Sequence, residues 1–251
     1  MRASCDLNAD LGESFGAWRM GDDAALLDIV SSCNIACGFH AGDPTTILQT
    51  LEWAQARGVA IGAHPSLPDL VGFGRREMQI APAELRAAVR YQVAALQGCA
   101  RAAGARLGHV KAHGALYGML ARDADLARAF VDAVMPLDAA LAIVGPPRGE
   151  LRELANAAGA RYLVEGFADR GYCADGSLVP RNQPGALLHG DAARAQGLAL
   201  ARGETIRAAD GSALDLVVDT LCVHGDGAEA VQLARALRAA IEAAGIAVRA
   251  P

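Results

Sequence analysis

Histidines stand at the ends of several short apolar runs in this chain, where parallel-sheet proteins keep their reactive groups. Five of the six histidines belong to such segments, and they are His40, His64, His109, His113 and His224. Because parallel strands bring their carboxyl ends to one face, these imidazoles are expected to converge on one pocket. Imidazole transfers protons near neutral pH and binds transition metals, so the spacing predicts acid–base or metal chemistry.

Carboxylates of the first predicted strand should reach the same pocket. Asp6 and Asn8 share one face of that strand and are expected to point into a barrel interior. Asp10 and Glu13 are expected on the following loop, and we predict functional roles for both. The alternative is that Asp10 only begins a turn and that Glu13 is solvated.

Asp10, His40 and His64 form a candidate metal set. The two histidines close neighbouring predicted strands, and carboxylate with neutral imidazole suits zinc and related ions. The chain has no H-x-H or H-E-x-x-H motif, so the sequence leaves the presence of a metal open. His40 is also a candidate substrate- or phosphate-binding residue.

The densest motif places His109, Lys111 and His113 on one face of a strand. A lysine that points inward is costly to bury without a partner or a substrate. We expect Lys111 to hold a carboxylate or phosphate and His113 to transfer protons, with His109 in a structural role. The alternative is an internal ion pair of Lys111 with Asp6 or Glu165.

Two loops carry arginines that are suited to anions. Arg170 follows Glu165 and Asp169 at the end of the sixth predicted strand, and Arg75 follows a glycine-rich turn. We predict that Arg75, Asp169 and Arg170 bind substrate or phosphate. Local salt bridges, which contribute little when exposed, are the alternative for the arginines.

The last predicted strand ends at His224, a candidate general base. Asp226, two residues later, is already explained as part of a capping box with Glu229. The chain has no G-x-x-x-x-G-K-[ST] phosphate loop, no G-x-G-x-x-G motif and no G-x-S-x-G elbow. Activated water, rather than a side-chain nucleophile, is therefore the expected attacking group.

Seven apolar runs that alternate with helical patterns must position these residues. The runs cover residues 4–8, 32–37, 59–63, 109–111, 140–144, 162–165 and 216–223. They predict an α/β fold with parallel strands in a single domain over 1–251, either as a closed barrel or as an open sheet. Residues 168–183 lack periodicity and are expected to form a long functional loop, and residues 65–76 form a second loop.

Composition excludes several classes of protein. The chain has 251 residues, a net charge of −5 and no basic patch, which argues against nucleic-acid binding. Six dispersed cysteines read as reduced thiols and predict the cytoplasm. We expect no signal peptide and no membrane span, because no basic and apolar leader and no long apolar run are present.

Long blocks of the chain resemble the LamB/YcsF family. They are DLN at 6–8, DLGE at 10–13, NIACGFHAGDP at 34–44, GAHP at 62–65, GFGRR at 72–76, HVK at 109–111, HGALY at 113–117, FADR at 167–170 and CVHGD at 222–226. The resemblance runs nearly end to end. It departs at Ala9, Ala112 and Gly118, where the family usually has cysteine, proline and asparagine, and none of these changes removes a charged or imidazole group.

The resemblance implies a seven-stranded, TIM-like (β/α) barrel similar to glycoside hydrolase and deacetylase barrels. It implies ATP-dependent hydrolysis of the lactam of 5-oxo-L-proline to L-glutamate, with ATP, accompanied by Mg²⁺, cleaved to ADP and phosphate. It also implies two partner subunits, B and C. Alternatives are a metal-dependent deacetylase or amidohydrolase that acts alone and a non-catalytic subunit that binds the substrate.

Each candidate residue has an expected role in that reaction. The catalytic candidates are Asp10, Glu13, His64, Lys111, His113, Glu165 and His224. The candidates for binding substrate or phosphate are Asn8, His40, Arg75, Asp169 and Arg170. In this hypothesis Lys111 and Arg170 hold the anion, a histidine acts as general base, and the carboxylates orient water, a metal ion or the imidazoles.

Overall fold

The computed structural model describes residues 3–223 and 230–251, and seven of its parallel strands close into a barrel. The strands, in chain order, are β1 (Ser4–Leu11), β2 (Ser32–Ala36), β3 (Ala60–His64), β4 (Leu107–Lys111), β5 (Ala142–Gly145), β6 (Tyr162–Phe167), β7 (Ile206–Arg207), β8 (Ala213–Leu214), β9 (Thr220–Val223) and β10 (Ala247–Val248). The barrel runs from β1 to β6 in chain order and closes through β9, which pairs with both β6 and β1. The predicted α/β barrel is confirmed, and the open sheet is excluded.

Helices cover the outside of the barrel. They are α1 (Asp23–Leu27), α2 (Pro44–Ala56), α3 (Pro82–Ala102), α4 (Gly114–Arg122), α5 (Ala124–Val134), α6 (Glu150–Ala157), α7 (Gly190–Arg202) and α8 (Ala230–Ala243). α2 begins as the sequence predicts, with Asp43 accepting from the backbone N–H groups of Thr45 and Thr46 and with proline at the first position. No helix among the described residues is long and apolar enough to cross a membrane.

β1 is longer than expected, and this changes the position of Asp10. The strand continues to Leu11 because β2 pairs with it from Asn8 to its end, while β9 pairs on its other side. Asp10 therefore lies within the strand, and the expectation of a loop position was wrong. Glu13 follows the strand and is buried, so the solvated alternative is also wrong.

The two faces of β1 have opposite chemistry. Leu7, Ala9 and Leu11 belong to the apolar core between the barrel and its helices. The alternate residues Asp6 and Asn8 bond to side chains of neighbouring strands inside the barrel. The interior beside β1 is thus polar, whereas a small apolar cluster of β5 and β6 also faces it, formed by Ala142, Val144 and Leu163. The large apolar core packs between the barrel and its helices.

Two loops complete the mouth of the barrel at the carboxyl ends of the strands. Residues 65–81 follow β3, and residues 168–189 follow β6. The second loop has the irregular structure predicted for it, with isolated bridges between Tyr172 and Leu178 and between Arg170 and Leu187. Gln196 of α7 donates to the backbone oxygen of Arg170 at 2.8 Å and so ties this loop to the barrel.

Candidate active site

Lys111 lies inside the barrel between two carboxylates. Its Nζ is 2.7 Å from Oε1 of Glu165 and 2.9 Å from Oδ1 of Asp10, and the sulfur of Cys222 lies 3.2 Å away. The lysine is buried, so these carboxylates stabilise its charge in place of water. Of the two ion pairs left open by the sequence, the one with Glu165 is present, whereas Asp6 accepts hydrogen bonds from hydroxyl groups instead.

Asn34 holds Asp10 in place. It faces Asp10 in the register of β1 and β2, and its amide nitrogen donates to Oδ1 of Asp10 at 2.9 Å. Nε2 of His109 lies 2.8 Å from Oδ1 of Asn34 and fixes the orientation of that amide. His109 therefore has the supporting position that was expected of it.

His64 and His113 face each other at the mouth of the barrel. Nδ1 of His64 lies 2.8 Å from the carbonyl oxygen of Lys111, and Nε2 of His113 lies 2.8 Å from that of Phe73. A carbonyl oxygen only accepts, so each of these nitrogens carries a proton and donates. The other two nitrogens, Nε2 of His64 and Nδ1 of His113, are 3.0 Å apart.

Glu13 and His40 complete a compact buried cluster with these two histidines. Oε1 of Glu13 lies 3.4 Å from Nε2 of His40 and 3.4 Å from Nδ1 of His113. The rings of His40 and His113 stack with their centroids 3.8 Å apart. One nitrogen or oxygen from each of Glu13, His40, His64 and His113 lies within 4.8 Å of the others, so this set is able to hold a metal ion.

The loop after β3 covers the histidines, and glycine at position 74 permits this. Gly74 has a φ of +64°, and a Cβ atom there would lie 2.8 Å from Cδ2 of His113 and 2.9 Å from Cβ of His40. Only glycine fits so close to the rings. Gln92 of α3 anchors the start of the loop through two 2.9 Å hydrogen bonds with the backbone of Ser66.

Burial and neighbouring charges set the protonation of the site. Burial lowers the pKa of His40 and His113 well below the ordinary value, and nearby imidazoles lower both further. Burial and the charge of Lys111 lower the pKa of His109 to about 3. Burial alone would lower the pKa of Lys111 as well, but the carboxylates of Asp10 and Glu165 raise it well above its usual value. The resting site therefore combines a charged lysine with neutral imidazoles at His40, His109 and His113.

A cavity of about 610 Å³ opens above these groups. Its floor contains the catalytic candidates Asp10, Glu13, His64, Lys111 and His113. Its walls contain Tyr117 and four arginines, which are Arg75, Arg122, Arg170 and Arg181. The volume and the mixture of acid–base and cationic groups suit a small anionic ligand.

Arg170 contributes to the wall of the cavity and also holds the loop that carries it. Its Nε donates to the carbonyl of Ala186 at 3.0 Å, and an Nη donates to that of Val179 at 2.7 Å. Burial lowers its pKa to about 10. Arg170 is buried, and both of these hydrogen bonds go to backbone carbonyl oxygens rather than to a carboxylate. Arg75 lies over the ring of Phe73, with its Cζ 4.8 Å from the ring centroid.

Sequence comparison places this barrel among known proteins. The LamB/YcsF family model matches residues 5–251. The chain belongs to the LamB/YcsF family. A relative from Bordetella pertussis, named as the A subunit of 5-oxoprolinase, is 55% identical over 251 residues, which are 100% of both chains. The crystal structure of a lactam utilization protein from Thermus thermophilus is 45% identical and has a TM-score of 0.94 over 99% of this chain and 100% of that one. A GH113 beta-1,4-mannanase, 9% identical with a TM-score of 0.50 over 95% of this chain and 99% of that one, shares the fold alone.

Most of the predicted site residues of this LamB/YcsF chain do meet. Seven of them line the cavity, namely Asp10, Glu13, Arg75, His64, Lys111, His113 and Arg170. Glu165 lies directly beneath, bonded to Lys111. Asn8, His40 and Asp169 do not line the cavity: Asn8 supports Glu165 from below at 3.3 Å, and His40 lies behind His113. His224 lies outside the described residues, as does the capping box at 226–229.

Sequence reasoning missed three residues that shape this LamB/YcsF site. Asn34 was hidden in an apolar strand, although polar residues at 32 and 34 follow the two-residue period of an inward face. Tyr117 stands in the HGALY block, but no role was predicted for it. Arg181 lies in the long loop after β6, from which only Asp169 and Arg170 were chosen as candidates.

Proposed function

We propose that this chain is the A subunit of a 5-oxoprolinase and that it takes part in opening the lactam of 5-oxo-L-proline. The observation that carries the proposal is the 55% identity, over the full length of both chains, to the Bordetella pertussis protein of that name. The lactam utilization protein with a TM-score of 0.94 supports the same substrate class. The products are L-glutamate, ADP and phosphate.

The chemistry of the substrate explains the use of ATP. A five-membered lactam is a resonance-stabilised amide with little ring strain, so direct attack by water is slow. Transfer of the terminal phosphoryl group of ATP to the amide oxygen makes the ring carbon electrophilic and turns that oxygen into a leaving group. Water then adds to the carbon, and the C–N bond breaks as the nitrogen takes up a proton, which leaves an acyl phosphate. A second water hydrolyses the acyl phosphate to the carboxylate of glutamate and free phosphate.

The cavity offers groups for each part of this reaction. The guanidinium groups of Arg75, Arg170 and Arg181 suit the substrate carboxylate and the transferred phosphate. Lys111 already has two carboxylate partners, so we assign it to charge balance beneath the reacting atoms rather than to the main anion clamp. His64 or His113 serves as the general base for water.

Two buried polar groups beside the cavity support a position for the lactam. Within the described part of the chain, no hydrogen bond of ordinary geometry reaches Oη of Tyr117 or Oε2 of Glu165, and burial together with the nearby Glu165 carboxylate raises the pKa of Tyr117 well above its usual value. Buried polar atoms of this kind are costly unless a ligand or water satisfies them. An amide group supplies both a donor and an acceptor for them.

We further propose that subunits B and C contribute to the use of ATP with Mg²⁺. The sequence has no G-x-x-x-x-G-K-[ST] loop, so this chain lacks the ordinary phosphate cradle. ATP then binds at an unfamiliar site in the assembled enzyme, or B and C supply the activated lactam to this barrel.

Reconstitution tests the proposal. Glutamate and ADP are measured with this chain alone, with B and C, and with B and C alone, each in the presence and absence of ATP. We expect glutamate only from the complete set with ATP. Full activity from B and C alone would exclude a role for this chain.

Replacement of His113 tests the assignment of the base. His113→Ala should lower the rate of glutamate formation in the complete enzyme by at least about 100-fold, as expected for loss of a general base. His189→Ala, at an exposed histidine that does not line the cavity, is the matched control and should have no effect. A near-normal rate for His113→Ala would remove that residue from the chemistry.

A second function is favoured by the buried cluster of Glu13 and three histidines. Such a set could serve a metal-dependent amidohydrolase that acts without ATP. Hydrolysis of a simple amide by the zinc-loaded chain alone would support this reading over the first.

A further inference from the structure

We propose that Glu13, His40, His64 and His113 bind one divalent transition-metal ion of the zinc type. The inference does not depend on which amide the cavity accepts. It adds His113 and Glu13 to the candidate ligands His40 and His64, and it places Asp10 beside the ion rather than at the centre of the set. It rests on the geometry of the cluster.

Two ring nitrogens, Nε2 of His64 and Nδ1 of His113, face each other in the cluster. Because Nδ1 of His64 and Nε2 of His113 donate to carbonyl oxygens, neutral rings leave lone pairs on the other nitrogens. Those lone pairs point at each other across 3.0 Å, where two acceptors repel. A positive group between or beside them resolves the conflict, and a metal ion accepts both lone pairs at once.

The distances between the candidate ligand atoms can be compared with those in a tetrahedral zinc site. Zinc binds nitrogen and oxygen at about 2.0–2.1 Å, so the edges of a tetrahedral ligand set measure about 3.3 Å. Three of the six edges of the cluster are near this value, namely 3.0 Å between His64 and His113, 3.4 Å between Glu13 and His113, and 3.4 Å between Glu13 and His40, and the other three are within 4.8 Å. Small shifts of side chains would complete the set.

The second ring nitrogens of His64 and His113 have the hydrogen-bond partners that are usual for metal-binding histidines. Metal-binding histidines usually donate their second ring nitrogen to a carbonyl or carboxylate, which fixes the ring and its tautomer. His64 and His113 both do so. Oδ2 of Asp10 lies 3.3 Å from Nε2 of His64 and adds a second negative charge beside the cluster. Lys111 offsets only one of the two carboxylates of Asp10 and Glu165, so a net negative charge remains beside the cluster and favours a cation there.

The ligand types select the class of metal. Three imidazoles and one carboxylate suit zinc, cobalt, manganese or iron, whereas calcium and magnesium prefer sets of oxygen ligands. This ion is therefore distinct from Mg²⁺ that accompanies ATP. Glu13, His64 and His113 also line the cavity, so the bound ion would supply a Lewis acid at the cavity wall. In the metal-loaded protein the activation of water would pass to the ion, because it occupies the ring nitrogens through which His64 or His113 otherwise acts as general base.

Metal binding is measured on the isolated full-length chain, without ATP, amide or partner subunits. The affinity tag is removed, the protein is stripped with a chelator, and Co²⁺ and then Zn²⁺ are titrated in. We expect one Co²⁺ per chain with the strong visible absorption of a tetrahedral site, and displacement of it by Zn²⁺. Elemental analysis of the protein as purified provides the independent count.

Substitution of single residues distinguishes the metal ligands from residues that only lie near the ion. His64→Gln and His113→Gln should each weaken Co²⁺ affinity by more than about 100-fold, since loss of supporting contacts alone costs about 10- to 100-fold. Glu13→Gln preserves shape and should weaken binding while the fold, followed by circular dichroism, stays intact. His189→Gln, at an exposed histidine, is the control and should bind as the parent chain does.

Two results would overturn the inference. One is Co²⁺ binding that Glu13→Gln, His64→Gln and His113→Gln leave unchanged. The other is no stoichiometric binding together with ¹⁵N spectra in which a proton occupies the nitrogens between His64 and His113. Neither result bears on the reconstitution assay, so failure here and failure of the proposed activity are distinguishable.

Discussion

At the scale of single residues, the site depends on one buried ammonium between two carboxylates. Lys111 contacts Asp10 on β1 and Glu165 on β6, so its charge joins opposite parts of the barrel. A buried ion pair adds little over an apolar replacement of the same shape, yet loss of one partner leaves an uncompensated charge. The lysine is therefore important to stability and to the electrostatics of the cavity.

Lys111→Met should lower both the stability of the fold and the activity of the site. We expect the free energy of unfolding to fall by about 3–5 kcal/mol, because Asp10 and Glu165 stay buried without their cation. Glutamate formation by the reconstituted enzyme should fall to background. Urea unfolding followed by circular dichroism measures the first effect, and the three-subunit assay measures the second.

The double variant Lys111→Met with Glu165→Gln separates these effects. It removes one of the stranded charges, so part of the lost stability should return while activity stays at background. Equal instability of the single and double variants would contradict the ion-pair account. Recovery of activity together with stability would show that Lys111 has only a structural role.

At the scale of elements, the sequence was sufficient to predict where the barrel strands lie but not the residues at which they end. Apolar runs located all seven barrel strands, and Asp43 with Pro44 located the start of α2. The end of β1 was missed because pairing with β2 and β9 extends it to Leu11, and pairing partners are not visible in one sequence. The imidazoles of His64 and His113 were expected to share a pocket, but their direct 3.0 Å contact across 49 positions depends on the pairing of β3 with β4, which one sequence does not show.

Asp43 joins α2 to the loop after β1 and gives a prediction at this scale. Its carboxylate accepts from the backbone N–H groups of Gly16, Thr45 and Thr46, and these bonds hold its pKa at about 2. A lowered pKa in the folded state means that the stabilisation is present above the unfolded pKa, about 3.9. It is lost as the pH falls through about 2.

Asp43→Ala should therefore lower the free energy of unfolding by about 1 kcal/mol at about pH 7, as loss of a helix cap does. The difference from the parent should shrink below about pH 4. Asp43→Asn keeps a capping oxygen at every pH and is the matched control, with near-parental stability at neutral pH. Urea unfolding at a series of pH values measures both, and a pH-independent deficit for Asp43→Ala would contradict the assignment.

At the scale of the whole molecule, closure of the barrel relies on polar contacts inside it. Asp6 accepts from Ser32 of β2 at 2.7 Å and from Thr220 of β9 at 2.6 Å, so it joins the first strand to both of its neighbours. Periodicity predicted the seven strands but not closure, because an open sheet has the same alternation of strand and helix. The inward polar residues of β1 were the available signal for a barrel.

The protonation of Asp6 should make this closure sensitive to pH. Burial raises the pKa of Asp6 above its ordinary value, although hydrogen bonds from Ser31, Thr220 and Ser32 oppose that rise. A carboxyl group with a raised pKa binds its proton more tightly in the folded state than in the unfolded chain. Its contribution to stability is therefore fully present below the unfolded pKa, about 3.9, and is lost as the pH rises through the folded pKa.

Asp6→Asn removes this titration with little change of shape. Between about pH 4 and the folded pKa, the free energy of unfolding of Asp6→Asn should rise relative to that of the parent, by at most about 1.4 kcal/mol per pH unit. Asp28→Asn, at an exposed carboxylate that pairs with Arg57, is the control for loss of one negative charge. Urea unfolding of the three proteins across this range gives the slopes. A difference between Asp6→Asn and the parent that falls with pH would mean that the hydrogen bonds to Asp6 outweigh its burial and that the barrel is closed around a charged carboxylate.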